Sequence, residues 1–96
     1  MNYTFHPHAE KELEEIEDYY GSTRKELGNQ FRDEMKLTLS RIVRFPNGWP
    51  LLSAPVRRCR INRFPYEIIY QLKSGEVYVL AVMHHRREPN YWAYRI

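Results

Sequence analysis

The stretch Val77–Met83 is the longest uninterrupted apolar run in the chain, seven residues. It constrains the fold more than any other feature. A membrane-spanning helix needs about 20 such residues, so the run is not one. A strand with one wet face alternates apolar and polar side chains, whereas this one is apolar on both faces. It is therefore expected to be a central strand, covered on both sides. The rest of the chain must supply both its neighbours and its cover. Residues 1–96 are expected to form a single domain, because domains run to roughly 100–200 residues.

The cover is legible upstream. Pro7 suits a first helical position, where its missing N–H would be unpaired anyway. Behind it, Ala9, Leu13, Ile16 and Tyr20 fall at offsets 0, 4, 7 and 11, an apolar helical stripe. Glu10, Glu12, Glu14, Glu15, Glu17 and Asp18 are assigned to the other faces, several of them in first turns where negative charge suits the helix dipole. Gly21-Ser22-Thr23 is expected to break this helix, with Ser22 or Thr23 capping the next. Leu27, Phe31, Met35, Leu39 and Ile42 then carry helical spacing to about Arg44, because Pro46 disfavours helical geometry at Phe45. A connection of about two or three residues makes the pair an antiparallel hairpin.

Strands flank the hairpin. Tyr3-Thr4-Phe5 is a short β-prone stretch. After the turn-rich Pro46-Asn47-Gly48-Trp49-Pro50 loop come Val56–Asn62, Tyr66–Leu72 and the apolar run itself. In Val56–Asn62, Arg58 and Arg60 alternate with Cys59 and Ile61. Lys73-Ser74-Gly75 is a hairpin turn. The tail from His84 to Ile96 mixes base with aromatic, with a helical turn expected after Pro89 and Trp92 docked on the core. The expected architecture is α+β: an N-terminal strand, a helical hairpin and a three-stranded antiparallel meander in one sheet of about four strands.

Charge divides the chain. Residues 1–56 carry seven basic and nine acidic groups; residues 57–96 carry eight and three, and seven of those eight are arginine. Arginine presents a planar fork that suits phosphate and carboxylate. The second half therefore suggests an anionic partner, a nucleic acid or an acidic protein segment; the alternative is a solvated basic face with no function. The first seven residues have no basic n-region and no long apolar stretch, so no signal peptide is visible. The single cysteine, Cys59, excludes an internal disulfide framework and a multi-Cys zinc module. Together these features point to the cytoplasm, with no membrane association.

Several chemistries are set aside. The chain has no glycine-rich phosphate loop and no nucleophile elbow. His6 and His8, and His84 and His85, lack the spacing of a zinc signature. Neither a metal nor a cofactor is expected. Cys59 alternates with arginines but lies on the apolar side, the setting of a buried thiol. Three features remain. Arg58 and Arg60 project from one face of a strand and can flank or clamp phosphates. The alternative is an edge strand that carries charge to avoid pairing with other chains. His84-His85-Arg86-Arg87 ends the apolar strand, where a rigid element meets solvent; a histidine there can exchange a proton near neutral pH. Tyr91, Trp92 and Tyr94 can stack on bases or dock on the core.

These residues carry a resemblance. Glu17-Asp18-Tyr19-Tyr20, Leu27-Gly28 with Phe31, Phe45-Pro46, Arg63–Tyr70 and Val79–Arg87 with Pro89 and Tyr91-Trp92 closely resemble the RelE/ParE superfamily of toxins over nearly the whole chain. The resemblance implies the toxin of a type II toxin–antitoxin pair of the plasmid-stabilisation kind. Such a toxin is silenced by a cognate acidic antitoxin in a hetero-oligomer. ParE-like members act on DNA gyrase; RelE-like members cut mRNA on the ribosome. Matching the RelE-type surface onto this chain gives Arg58 and Arg60, then His85 or Arg86, then Tyr91, as candidate catalytic or target-binding residues. One position departs: Glu67 stands where a cation would support cleavage. That acid favours the ParE-like reading, with gyrase as target. A ribosome-dependent mRNA endonuclease, with Glu67 as base and His84 or His85 as acid, is the first alternative. A non-toxic relative that only binds antitoxin is the second.

Overall fold

A computed structural model describes residues 2–96; residue 1, part of the segment read for a leader, lies outside them. The elements are β1 (Tyr3–Phe5), α1 (Pro7–Thr23), α2 (Lys25–Arg44), β2 (Leu51–Ser53), β3 (Val56–Arg60), β4 (Tyr66–Lys73) and β5 (Glu76–His84), followed by a 3-10 turn at Ala93–Arg95. They build an α+β fold with two helices against one sheet of order β1-β5-β4-β3-β2. β1 runs parallel to β5, and the other neighbours are antiparallel. The sheet has five strands rather than about four. The extra one, β2, is three exposed residues held by pairing with β3. β3 also stops at Arg60, short of the expected Asn62.

α1 starts where Pro7 predicts, with the His6 ring accepting the His8 N–H. It does not break at Gly21. It continues to Thr23, and Arg24 alone separates it from α2 with no side-chain cap. The Ser22 and Thr23 hydroxyls turn back onto the Tyr19 carbonyl. Gly21 is a crossing residue: a Cβ on Gly28 would stand 2.8 Å from the Gly21 Cα. Gly28 lets the helices approach where a larger side chain would hold them apart; a Cβ on Gly21 itself would meet nothing within 4 Å.

The helical stripes and one sheet face close the main core. Phe31 sits at its centre, in ring contact with Tyr20, Phe64 and Tyr66, and the layer runs on through Ile42, Ile68, Tyr70 and Val79. β5 is buried on both faces, as its composition requires, although β4 occupies the middle of the sheet. The two join through Ser74 and Gly75, both at positive φ, the conformation of a tight two-residue hairpin. Between Ile69↔Ala81 and Tyr70↔Val79 the register shifts, leaving Leu80 unpaired as a bulge. Leu80 and Ala81 thereby both enter a second, smaller cluster on the other face, with Val56, Ile69, Met83 and Trp92. Trp92 brings the tail onto that face as its composition predicts.

Candidate functional site

The face away from the helices is where the arginines emerge. Val56, Arg58 and Arg60 share one side of β3; Val56 is buried under the tail, and both arginines are exposed. Cys59 and Ile61 point the other way into the core. Burial pushes the Cys59 thiol up to about 11, so it is an inert packing group. Arg57 is committed elsewhere, donating from Nη1 to the Trp49 carbonyl at 2.7 Å.

Glu67 pairs in register with Arg60 and lies on the same face. Its carboxylate is buried, with the side chain only 5% exposed, whereas that of Arg60 is 82% exposed. Arg60 Nε stands 3.8 Å from Glu67 Oε1, an ion contact too long for a hydrogen bond. Glu67 Oε2 has no hydrogen-bond partner among the described residues. Glu67, Arg60 and His85 line one pocket of about 210 Å³, walled by Phe64, Pro65 and Tyr66. His85 is held there twice: its N–H donates to the Pro65 carbonyl at 3.0 Å, and Nδ1 lies 3.1 Å from the same oxygen. Donation from Nδ1 leaves Nε2 as the free acceptor. His84 stacks on His85 with ring centroids 4.7 Å apart.

Tyr91 lies in a neighbouring cleft of about 280 Å³ with Glu12, Tyr19, His84 and Arg87; Tyr66 borders both spaces. Its hydroxyl donates to Glu12 Oε2 at 2.8 Å. Burial, that hydrogen bond and the Glu12 charge all push the Tyr91 phenol well above the ordinary range. The Arg87 guanidinium lies over the Tyr91 ring, 3.9 Å from its centroid. The candidate residues therefore fall into groups. Arg60 and His85 share a pocket with Glu67, Tyr91 stands in the next cleft, and Arg58 borders a third depression beside Trp49 and Pro50 that Arg60 also lines. Arg86 is exposed and borders none of these; Arg87 takes the cleft position instead. Sequence reasoning named Arg87 only within the His84–Arg87 cluster and did not bring it to the cleft with Tyr91, and it missed Glu12 and Arg95; no local spacing marks these contacts.

The face thus combines exposed arginines, a histidine with a free ring nitrogen, stacked aromatics and one buried acid. Among the described residues no helix is long and apolar enough to cross a membrane. No match was found among curated proteins. A solved structure described as a chromosomal ParDE TA system from P. aeruginosa matches with a TM-score of 0.74 at 19% identity, over 88% of this chain and 95% of that one. Residues 3–89 match the family model described as ParE toxin of type II toxin-antitoxin system, parDE; the chain belongs to that family.

Proposed function

We propose that the chain is the toxin of a two-protein module, neutralised in the cytoplasm by a cognate acidic antitoxin and acting on DNA gyrase rather than on mRNA. Family membership supports the toxin role. The observation that carries the choice of target is Glu67. Cleavage of a phosphodiester gathers cations around the developing charge. Here the pocket beside Arg60 and His85 contains a buried carboxylate instead. The exposed Arg58 and Arg60 then serve to bind a protein surface, and the arginine-rich half steers the acidic antitoxin to the toxin.

A second reading has one observation in its favour: Glu67 and His85 share a pocket, so two groups able to exchange a proton stand at one mouth. Controlled expression without antitoxin, with replication and translation followed separately, decides between them. The expected result is growth arrest with a DNA-damage response while translation initially continues. Prompt codon-biased mRNA cutting by the unmodified protein in a purified translation system overturns the gyrase reading. In the same assay Arg58→Ala with Arg60→Ala lowers toxicity at equal soluble level. Arg58 is exposed, so Arg58→Ala alone should move stability by no more than about 0.5 kcal/mol; Arg60→Ala also strips the buried Glu67 of its ion contact and costs more, so toxicity is compared at equal folded level.

A further inference from the structure

Glu12 belongs to the acidic stripe of α1 but is not a solvated charge. Its side chain is 17% exposed and receives hydrogen bonds from three distant parts of the chain. Val82 N–H reaches Oε1 at 3.1 Å and Arg95 Nη1 reaches it at 3.0 Å. The Tyr91 hydroxyl reaches Oε2 at 2.8 Å and Arg95 Nη2 reaches it at 3.2 Å. A carboxylate offers about four lone-pair sites. Here four donors occupy them.

The reason for this concentration lies in β5. β1 ends at Phe5, opposite Val79, and the His6 N–H closes on the Val79 carbonyl. Beyond that point no described strand lies along the outer edge of β5. The Leu80 carbonyl and Val82 N–H would be left unpaired inside a buried segment, which costs free energy. Arg95 Nη1 donates to the Leu80 carbonyl at 2.9 Å while Glu12 accepts from Val82. One ion pair therefore closes the edge as a neighbouring strand would. The same α1 face continues one turn back, where His8 Nδ1 meets the Tyr94 hydroxyl.

We propose that Glu12 is a positioning residue for the basic and aromatic tail. It fixes Tyr91, and through the Tyr91 ring Arg87, at the cleft beside His84, as part of the surface that meets the target. The functional half of this rests on the toxin reading; the positional half does not. Gln cannot replace Glu here. Its amide would turn an NH2 group towards donors.

The test compares Glu12→Gln with Glu14→Gln, an exposed acid two residues on in the same helix. Amide exchange at Val82, NMR titration of the Tyr91 phenol, and growth arrest are read for each. Glu12→Gln is expected to speed Val82 exchange about tenfold or more, as expected for loss of a hydrogen bond to a charged group. It also brings the Tyr91 phenol down towards the ordinary range and lowers toxicity with helix content unchanged; Glu14→Gln does none of these. Unchanged Val82 exchange and Tyr91 titration in Glu12→Gln overturn the clasp. A released tail with full toxicity overturns the positioning role. If Glu12→Gln fails to fold, the parent decides: its Val82 amide should be as protected as the paired amides of β5, and rapid exchange there overturns the proposal. A parent that arrests no growth removes the toxin reading and with it the functional half, while exchange and titration still judge the clasp.

Discussion

The two faces of the sheet are closed by different means. One is sealed by two helices over a continuous apolar layer, from Ala9 and Ile16 through Phe31 and Ile42 to Val79 and Val82. The other has a small cluster around Leu80, Met83 and Trp92, held down by a tail whose anchor is an ion pair, Glu12 with Arg95. Beyond that cluster it carries Arg58 and Arg60 in solvent above a buried Glu67. Each fully buried large apolar side chain contributes about 1.5–3 kcal/mol. Stability is thus concentrated on the helical side. Apart from that anchor, the charge on the opposite face is largely arginine exposed to solvent.

The largest test of that contrast is Phe31→Ala. Phe31 is fully buried and touches three other aromatic rings. Its loss leaves a cavity that two packed helices and a sheet cannot collapse around. The expected cost is about 3–5 kcal/mol, read from the urea unfolding midpoint. A loss below ~1 kcal/mol would mean that the helical face is not the main store of stability.

A smaller effect, of opposite sign, is expected across the sheet. In Glu67→Leu a buried carboxylate with an unpartnered oxygen becomes an apolar side chain of similar size, between Arg60 and Met83. Arg60 loses its partner without becoming a buried unpaired charge, because its head is in water. Replacing buried ion pairs by apolar groups is often neutral or stabilising, so stability should hold or rise by about 1 kcal/mol. A loss of ~2 kcal/mol or more would make Glu67 a structural acid and remove the reason for reading this face as functional.

The sealed face was far more legible in the sequence than the open one, for a physical reason. Helical stripes, the alternation of Arg58 and Arg60 with Cys59 and Ile61, and the apolar run of β5 are local patterns, set by where the core lies. Two misreadings depended on partners. Gly21 looks like a stop until Gly28 is brought against it. β2 has no buried side chain to mark it and exists because β3 offers an edge. The site was legible in its residue types but not in its grouping. Arg60, Glu67 and His85 converge through strand register and the turn into the tail. The donors to Glu12 come from residues 70 to 83 positions away, and no local spacing encodes them.

The smallest expected effect is a pH dependence, and it joins the two faces. His6 at the start of α1 and His84 at the end of β5 make the same local bond. The His6 Nδ1 accepts the His8 N–H at 3.1 Å, and the His84 Nδ1 accepts the Arg86 N–H at 3.0 Å. A ring that accepts at Nδ1 must leave that nitrogen unprotonated. Both groups are drawn below the ordinary 6.5, first by burial. Neighbouring positive charge adds to this: Arg95, His8 and Lys73 act on His6 against the opposing Glu12, and His85 and Arg86 act on His84. The folded form therefore holds fewer protons than the unfolded chain. The stability these bonds provide is whole above 6.5 and declines as the pH falls below it, through the depressed folded values. Both rings are partly exposed, so screening keeps the effect small. Asn can accept the same N–H two residues on and does not titrate. The urea midpoint of the parent should drop between about pH 7.5 and about pH 5.5, while His6→Asn and His84→Asn each remove part of that drop. A double variant that keeps the full drop would show that neither histidine needs to be neutral for its turn to form.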